Sequence, residues 1–197
     1  MPGSVEGGRA ALLLAIVAAL AAALYLVPSL GPGSRDQASR TDAPTHHCKH
    51  AGEEPSAGLG EADRATLCLL NAERHARGLP ALRPNRALRR AALRQSADMV
   101  RRRFFEHVNP DGLDSHARIV AAGYRLRAGG FATGENLATG ASGADSPAVI
   151  VRGWMHSPGH RHNILRPGFE EVGIGIVPRY EEGGAGATYT TTFGGRP

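Results

Sequence analysis

The sequence predicts an α+β fold in which helices pack on a small antiparallel sheet. Two observations predict it. Apolar residues recur at helical spacing between positions 61 and 155, and β-branched runs fill the last part of the chain. The 197 residues are 42% hydrophobic, which allows one core of ordinary size and too little for two. We therefore expect one domain, residues 61–197.

A long apolar segment lies near the start of the chain. Residues 10–30 follow Arg9, carry no charged side chain and are mainly Ala, Leu and Val. A run of about 18 apolar residues or more can span a bilayer, whereas a cleaved signal peptide usually has about 7 to 15. The length favours a membrane anchor, and the small residues Ser29 and Gly31 leave cleavage as an alternative. We predict that residues 1–30 are a signal anchor or signal peptide, which places the domain outside the cell or in the cell envelope.

Residues 31–60 have a different composition. They are rich in Gly, Pro, Ser, Asp and Thr and hold almost no large apolar side chains. Such a segment buries too little surface to offset the entropy lost on ordering. We predict a flexible linker between the apolar segment and the domain.

Four helices are predicted from apolar spacing and from residues typical of helix ends. The first is closed by Gly78, the second has Asn85 as its N-cap, the third is stopped by Gly123, and the fourth has Ser146 as N-cap with a proline in its first turn. The four segments are residues 61–77, 85–103, 114–122 and 147–155.

The strands are predicted in the last part of the chain. The β-branched runs 172–177 and 187–193 are separated by a Gly-rich stretch, which is typical of a hairpin. A short strand at 136–139 would complete the sheet. Gly173 and Gly175 are expected to permit close approach of a helix to the sheet.

The two cysteines, Cys48 and Cys68, are expected to form a disulfide, because export places them where disulfides persist. Closing a loop of about 20 residues stabilises a fold by roughly 3 kcal/mol in the chain-entropy model. A free thiol and a zinc site with His46, His47 and His50 are the alternatives, although this spacing lacks the usual pairing of zinc ligands.

The charge pattern argues against nucleic acid as a partner. The formal net charge is +5, but Lys49 is the only lysine and aromatic residues make up 5% of the chain. No basic run is interleaved with the aromatic residues on which single-stranded bases stack. We therefore expect no nucleic-acid binding.

Titratable residues stand among Gly, Pro and aromatic residues in three segments: Phe104-Phe-Glu-His107, Gly134-Glu135-Asn136 and Trp154-Met-His-Ser-Pro-Gly-His160. With an earlier Leu70-Asn71-Ala-Glu73-Arg74, the order of these motifs resembles the bacterial branch of the CAP (SCP-like) superfamily, named for cysteine-rich secretory proteins, antigen 5 and pathogenesis-related 1. The resemblance runs from about residue 63 to residue 195.

This resemblance implies a three-layer α-β-α sandwich with a central cleft. His107, Glu135 and His160 match the family positions whose side chains converge there. The family often has a second acid shortly after the tryptophan of the fourth helix, but Trp154 is followed here by Met155 and His156. His156 and His162 are additions to which the pattern assigns no role.

Two histidines and a carboxylate are a suitable ligand set for a divalent ion, most of all zinc, with a fourth position left to water. His107, Glu135 and His160 are thus candidate metal ligands and candidate catalytic residues. Without metal, Glu135 could orient a histidine or act as a general base. Structural roles are the alternative: His107 precedes a strong turn signal, Glu135 could bond nearby backbone, and His160 follows Pro158-Gly159, which we interpret as a helix-ending turn.

Two functions follow as hypotheses. In the first, the domain is a non-enzymatic binding module that holds an envelope lipid, peptide or glycan in the cleft, since no motif pairs a nucleophile with a base. In the second, it is a metal-assisted hydrolase of a peptide or cell-wall bond that uses the same three residues.

Overall fold

The computed structural model of the protein describes residues 48–55, 59–125, 130–179 and 184–196. The predicted signal segment, residues 1–30, and the linker as far as residue 47 lie outside the described residues. Within the described ranges, the helices are all too short or too polar to cross a membrane.

The four predicted helices are confirmed, and a fifth follows the last of them. Two of the predicted end signals, Asn85 and Gly123, are confirmed, and Asp114 is a further cap that was not predicted. The Asn85 side chain accepts hydrogen bonds from the backbone of Ala87 and Leu88, Asp114 accepts from Ala117, and Gly123 adopts a φ of 81°. The described helices are α1 Leu59–His75, α2 Arg86–Arg102, α3 Ser115–Ala121, α4 Pro147–His156 and α5 Pro158–Leu165.

Helix α5 was not predicted, because Pro158-Gly159 was interpreted only as the end of the preceding helix. Helix α4 does end there, with Ser157 as its C-cap. The same Ser157 is the N-cap of α5, and Pro158 occupies its first turn. Proline lacks an N–H and has its φ fixed near the helical value, so it suits the start of a helix as well as the position after one.

The sheet has the strand order β1-β3-β4-β2. Strands β3 and β4 form the predicted antiparallel hairpin, and β2 pairs antiparallel with β4. The two-residue β1 was not predicted and pairs parallel with β3. The strands are β1 Arg83–Pro84, β2 Ala132–Ala141, β3 Phe169–Val177 and β4 Gly186–Gly195.

Helix α2 packs against one face of this sheet at very short range. A Cβ on Gly173 would overlap the backbone of Leu88, and one on Gly175 would overlap the backbone of Leu93. The Ser96 hydroxyl, fully buried in this layer, donates to the Gly175 carbonyl at 2.9 Å. The predicted role of the two glycines is confirmed.

Helices α1, α4 and α5 cover the other face. The core on this side includes Trp154, Tyr189 and Phe193, each no more than 2% exposed. With α2 and α3 on the opposite side, the arrangement is the expected α-β-α sandwich.

The predicted linker, residues 31–60, is wrong at its C-terminal end. Cys48 and Ala51 are buried, and the Ala51 carbonyl accepts a hydrogen bond from Ala148 of α4 at 2.8 Å. Helix α1 already begins at Leu59. The folded unit thus includes residues from Cys48 onward, because a small number of buried groups and one covalent link fix a stretch whose composition is polar.

That covalent link is the disulfide between Cys48 and Cys68, with Cα atoms 5.7 Å apart. It joins the segment before α1 to the middle of α1. The disulfide prediction is confirmed over its alternatives, the free thiol and the zinc site.

Candidate functional site

Strand β2 and the loop before α3 bring two of the predicted residues into contact. Glu135 lies on β2, and its side chain is 2% exposed. His107 lies in the loop, and its side chain is 55% exposed. His107 Nδ1 donates to Glu135 Oε1 at 2.9 Å. This hydrogen bond raises the pKa of His107 above its ordinary 6.5, and burial opposes the rise.

Arg118 on α3 completes this network, which we call the Glu135 network: Arg118, Glu135 and His107. Arg118 Nη2 donates to both oxygens of Glu135, at 2.9 and 2.8 Å. Its Nη1 donates to the backbone carbonyl of His107 at 2.8 Å and to that of Leu113 at 2.6 Å. One guanidinium therefore neutralises the buried carboxylate and also ties the loop that carries His107 to it.

The hydrogen bonds of the Glu135 network make Glu135 a poor metal ligand. Both of its oxygens already accept hydrogen bonds, and a guanidinium lies 2.8 Å from one of them. A cation beside this carboxylate would face the charge of Arg118 at short range. Among the described residues, His107, Glu135 and His160 do not form a group with ligand atoms within 4.8 Å of one another; His50, Glu53 and Glu61 do, next to the disulfide. Zinc binding by the three predicted residues stays a prediction that this geometry does not favour.

His160 lies in the first turn of α5 and is fixed through its backbone. Asn136, fully buried on β2, donates from Nδ2 to the His160 carbonyl at 3.1 Å. Asn163 of α5 donates to the Asn136 side chain at 2.9 Å and to the Glu135 carbonyl at 3.1 Å. These amides fasten α5 to β2, so Asn136 of the Gly-Glu-Asn motif is structural.

The His160 ring faces different surroundings from His107. Burial lowers the pKa of His160 below 6.5, and the charge of His107 lowers it further. The two histidines thus lie within electrostatic range of each other, but the carboxylate hydrogen bond belongs to His107 alone. At neutral pH the two rings differ in their readiness to carry a proton.

His160 also lines an open groove of about 440 Å³, which we call the Trp154 groove. Its other walls come from β2, from α4 and from the loop after α2. Trp154 is 2% exposed and donates from its indole to the Leu137 carbonyl at 2.9 Å, so it is a fixed wall residue. The main side chains around the groove are Phe105, Leu137, Val149, Ile150, Trp154 and His160.

Comparison with known proteins agrees with this architecture. The model of the CAP family, described as the cysteine-rich secretory protein family, matches residues 67–192. The chain belongs to the CAP family. The matched region contains all three motif residues, His107, Glu135 and His160.

Bacterial proteins are similar to this CAP chain. The uncharacterized protein YkwD of Bacillus subtilis (strain 168) is 29% identical over 162 residues, which are 82% of this chain and 58% of the relative. The chain thus spans little more than half the length of that relative. An extracellular protein of Bacillus anthracis that contains an SCP domain has a solved structure with a TM-score of 0.59 and 25% identity, over 70% of this chain and 41% of that chain.

A solved outer surface protein of Borrelia burgdorferi shares the fold at a TM-score of 0.58 and 20% identity, over 70% of this chain and 94% of that one. The chain is therefore a CAP-domain protein of the type found in bacterial extracellular proteins.

Two residues that matter to the CAP site were missed by sequence reasoning. Arg118 and Asn163 each lie on a helix between or beside the motif residues, and each contacts Glu135 from another element. The sequence gives one indication of where Arg118 lies. It is four residues after the helix cap Asp114, so both side chains lie on the same face of α3. Its partner across the fold could not be identified from spacing.

Proposed function

We propose that this CAP-domain chain is a binding module of the bacterial cell exterior whose Trp154 groove takes the apolar part of an envelope lipid or peptide. The observation that carries the proposal is the groove itself. It is open, has a volume of about 440 Å³ and is lined mainly by apolar side chains. Concave apolar sites with a few polar groups are the usual form of ligand sites.

The polar groups of the groove are few. His160 and Ser157 stand at its walls, and Thr139 Oγ1 is buried without a hydrogen-bond partner among the described residues. A buried hydroxyl without a partner is costly unless a ligand or water satisfies it. Such a lining favours an acyl chain or apolar peptide over a glycan, since a sugar needs many more polar partners.

The hydrogen bonds that Glu135 accepts favour ligand binding over hydrolysis as the function of this domain. In the metal-assisted hydrolase hypothesis, this carboxylate would hold an ion or accept a proton. Both of its oxygens already accept hydrogen bonds, from His107 and from Arg118, so neither is free for that role. The stretch directly after Trp154, which begins Met155-His156-Ser157, offers no second carboxylate to take over that role.

The experiment uses Trp154 as the reporter, because the chain has one tryptophan and it forms a wall of the groove. The full-length chain in detergent is titrated with oleate and, separately, with an apolar peptide, and tryptophan fluorescence is followed. We expect saturable quenching or a spectral shift with at least one of the two probes.

Gly153→Leu is the blocking variant. Gly153 lines the groove on α4, and a Cβ at this position meets nothing within 4 Å. Leucine therefore fits, fills the groove and improves helix propensity by about 0.5–1 kcal/mol. We expect the fluorescence response to be lost in a protein that is at least as stable as the wild type.

Gly159→Leu is the matched control. Gly159 is on α5, is exposed, and also has open space around its Cβ, but it does not line the Trp154 groove. The control should bind like the wild type. Equal binding by wild type and Gly153→Leu, or no response to either probe, would overturn the proposal.

A further inference from the structure

We propose that a second groove, between α4 and α5, binds phosphate groups of a soluble polyanion. This α4–α5 groove has a volume of about 420 Å³, and its polar lining is His156, Arg161, His162 and Arg166. Its apolar floor includes Met155 and Leu165. The proposal does not depend on the Trp154 groove and gives a role to His156 and His162, which the CAP motif leaves unassigned.

The charge of this groove is of one sign. Among the described residues that line it, none is acidic. Neither Arg161 nor Arg166 has a carboxylate within 4.0 Å in the described part of the chain, whereas seven other arginines do. Those ion-paired arginines are Arg77, Arg83, Arg89, Arg101, Arg102, Arg118 and Arg196. The α4–α5 groove thus concentrates cationic groups that the fold itself does not neutralise, which attracts an anion.

Its rim is held in place by the core. The guanidinium of Arg166 lies 5.0 Å from the centre of the Phe169 ring, a cation–π contact. Fully buried Arg74 donates to the carbonyls of Ile164, Arg166 and Phe169 at 2.8, 3.0 and 3.0 Å. These contacts fix the backbone that carries Arg166 before any ligand arrives, which lowers the entropy lost on binding.

One histidine of the groove is also oriented. His156 Nδ1 donates to the Arg152 carbonyl at 2.8 Å, which leaves Nε2 as the ring nitrogen for a ligand. His162 and Arg161 are exposed neighbours on α5. The two guanidinium groups alone offer more donors than the two oxygens of one carboxylate can accept, whereas phosphate presents three or more acceptor oxygens and more charge. The donor set therefore favours phosphate over carboxylate.

Tripolyphosphate is the probe. The full-length chain in detergent is titrated with it by calorimetry and by amide NMR. We expect saturable binding that shifts the amides of His162 and Arg166, and we expect the affinity to fall about tenfold or more in Arg161→Gln/Arg166→Gln. His156→Gln/His162→Gln should weaken binding too while keeping both arginines, which separates loss of the site from loss of net charge.

Arg86→Gln/Arg94→Gln is the matched control. Both arginines are exposed on α2, form no ion pair in the described residues, and lie outside the α4–α5 groove. This variant removes the same charge and should keep the wild-type affinity. The proposal is overturned if the control loses as much affinity as the groove variants, if tripolyphosphate does not bind, or if only phosphatidylglycerol vesicles bind.

Discussion

Neighbouring stretches of strand β2 differ in how much of their surface remains for a ligand. At Glu135 the side chain is 2% exposed, and both oxygens are hydrogen-bonded to His107 and Arg118. A few residues later, Leu137 and Thr139 border an open groove of about 440 Å³. The Gly134-Glu135-Asn136 motif therefore belongs to the closed part of the site, whereas Trp154 and His160 of another family motif line the open groove.

The difference lies in the partners that each stretch meets. The helix and loop next to Glu135 supply a guanidinium and an imidazole, so its charge is compensated inside the protein. Helix α4 presents Val149, Ile150 and Gly153 to the other stretch, and this apolar, partly open surface leaves room for another molecule. A residue typical of a family is thus not by itself the residue that meets a ligand.

The largest effect that tests this comparison is expected from Arg118→Met. It removes the guanidinium but leaves Glu135 buried with a charge and only His107 as partner. Breaking a buried ion pair in this way costs about 3–5 kcal/mol of unfolding free energy. Chemical denaturation of the full-length chain measures it.

Arg77→Met is its control, because Arg77 pairs with Glu73 on the surface of α1 at 2.6 Å. Removal of this exposed pair should cost no more than about 1 kcal/mol. A loss at Arg118 as small as that at Arg77 would mean that Glu135 is not held by a buried pair.

Much of this molecule was predictable from local patterns. The helix signals at Asn85 and Gly123 depend on the backbone next to them, and both act as expected. Gly173 and Gly175 could be recognised because glycine is unusual inside a β-branched run. In the structure a Cβ at either position would overlap the backbone of α2. The disulfide could be predicted from the presence of two cysteines and from the expected export of the domain.

The missed features depend on contacts between distant segments. Arg74 is a charged residue in the last turn of α1, but it is fully buried and donates to backbone carbonyls 90 and 95 residues further along the chain. Arg118 and Glu135 are partners across two elements. Residues 48–55 look like linker by composition, yet buried Ala51 bonds to α4. Only the folded arrangement determines such pairings.

The smallest effect concerns the two histidines. NMR titration should give His107 a pKa above 6.5 and His160 a pKa below it, because the first has the Glu135 hydrogen bond and the second is desolvated. In Glu135→Gln the pKa of His107 should fall while that of His160 changes less. Equal pKa values in the wild type, or an unchanged His107 in the variant, would contradict the Glu135 network.

These shifts also set the sign of the pH dependence of stability. His107, with its raised pKa, stabilises the fold fully below pH 6.5, and this contribution is lost as the pH rises through its folded pKa. The pKa of His160 is lowered in the folded state, so as the pH falls this side chain takes up a proton more readily in the unfolded chain. The free energy of unfolding therefore decreases below the pKa of the unfolded chain. The same NMR titration, recorded with unfolding curves at each pH, measures both directions.

Photo-crosslinking tests directly whether the ligand contacts the Trp154 groove or the Glu135 network. The probe is a fatty acid that carries a diazirine in its chain. Full-length protein is irradiated with the probe, and the labelled residues are mapped by mass spectrometry. We expect labels on groove residues such as Leu137, Val149 and Ile150, and we expect these labels to be lost in Gly153→Leu. Labels confined to other surfaces, or groove labels that persist in the blocked variant, would contradict ligand binding in the Trp154 groove.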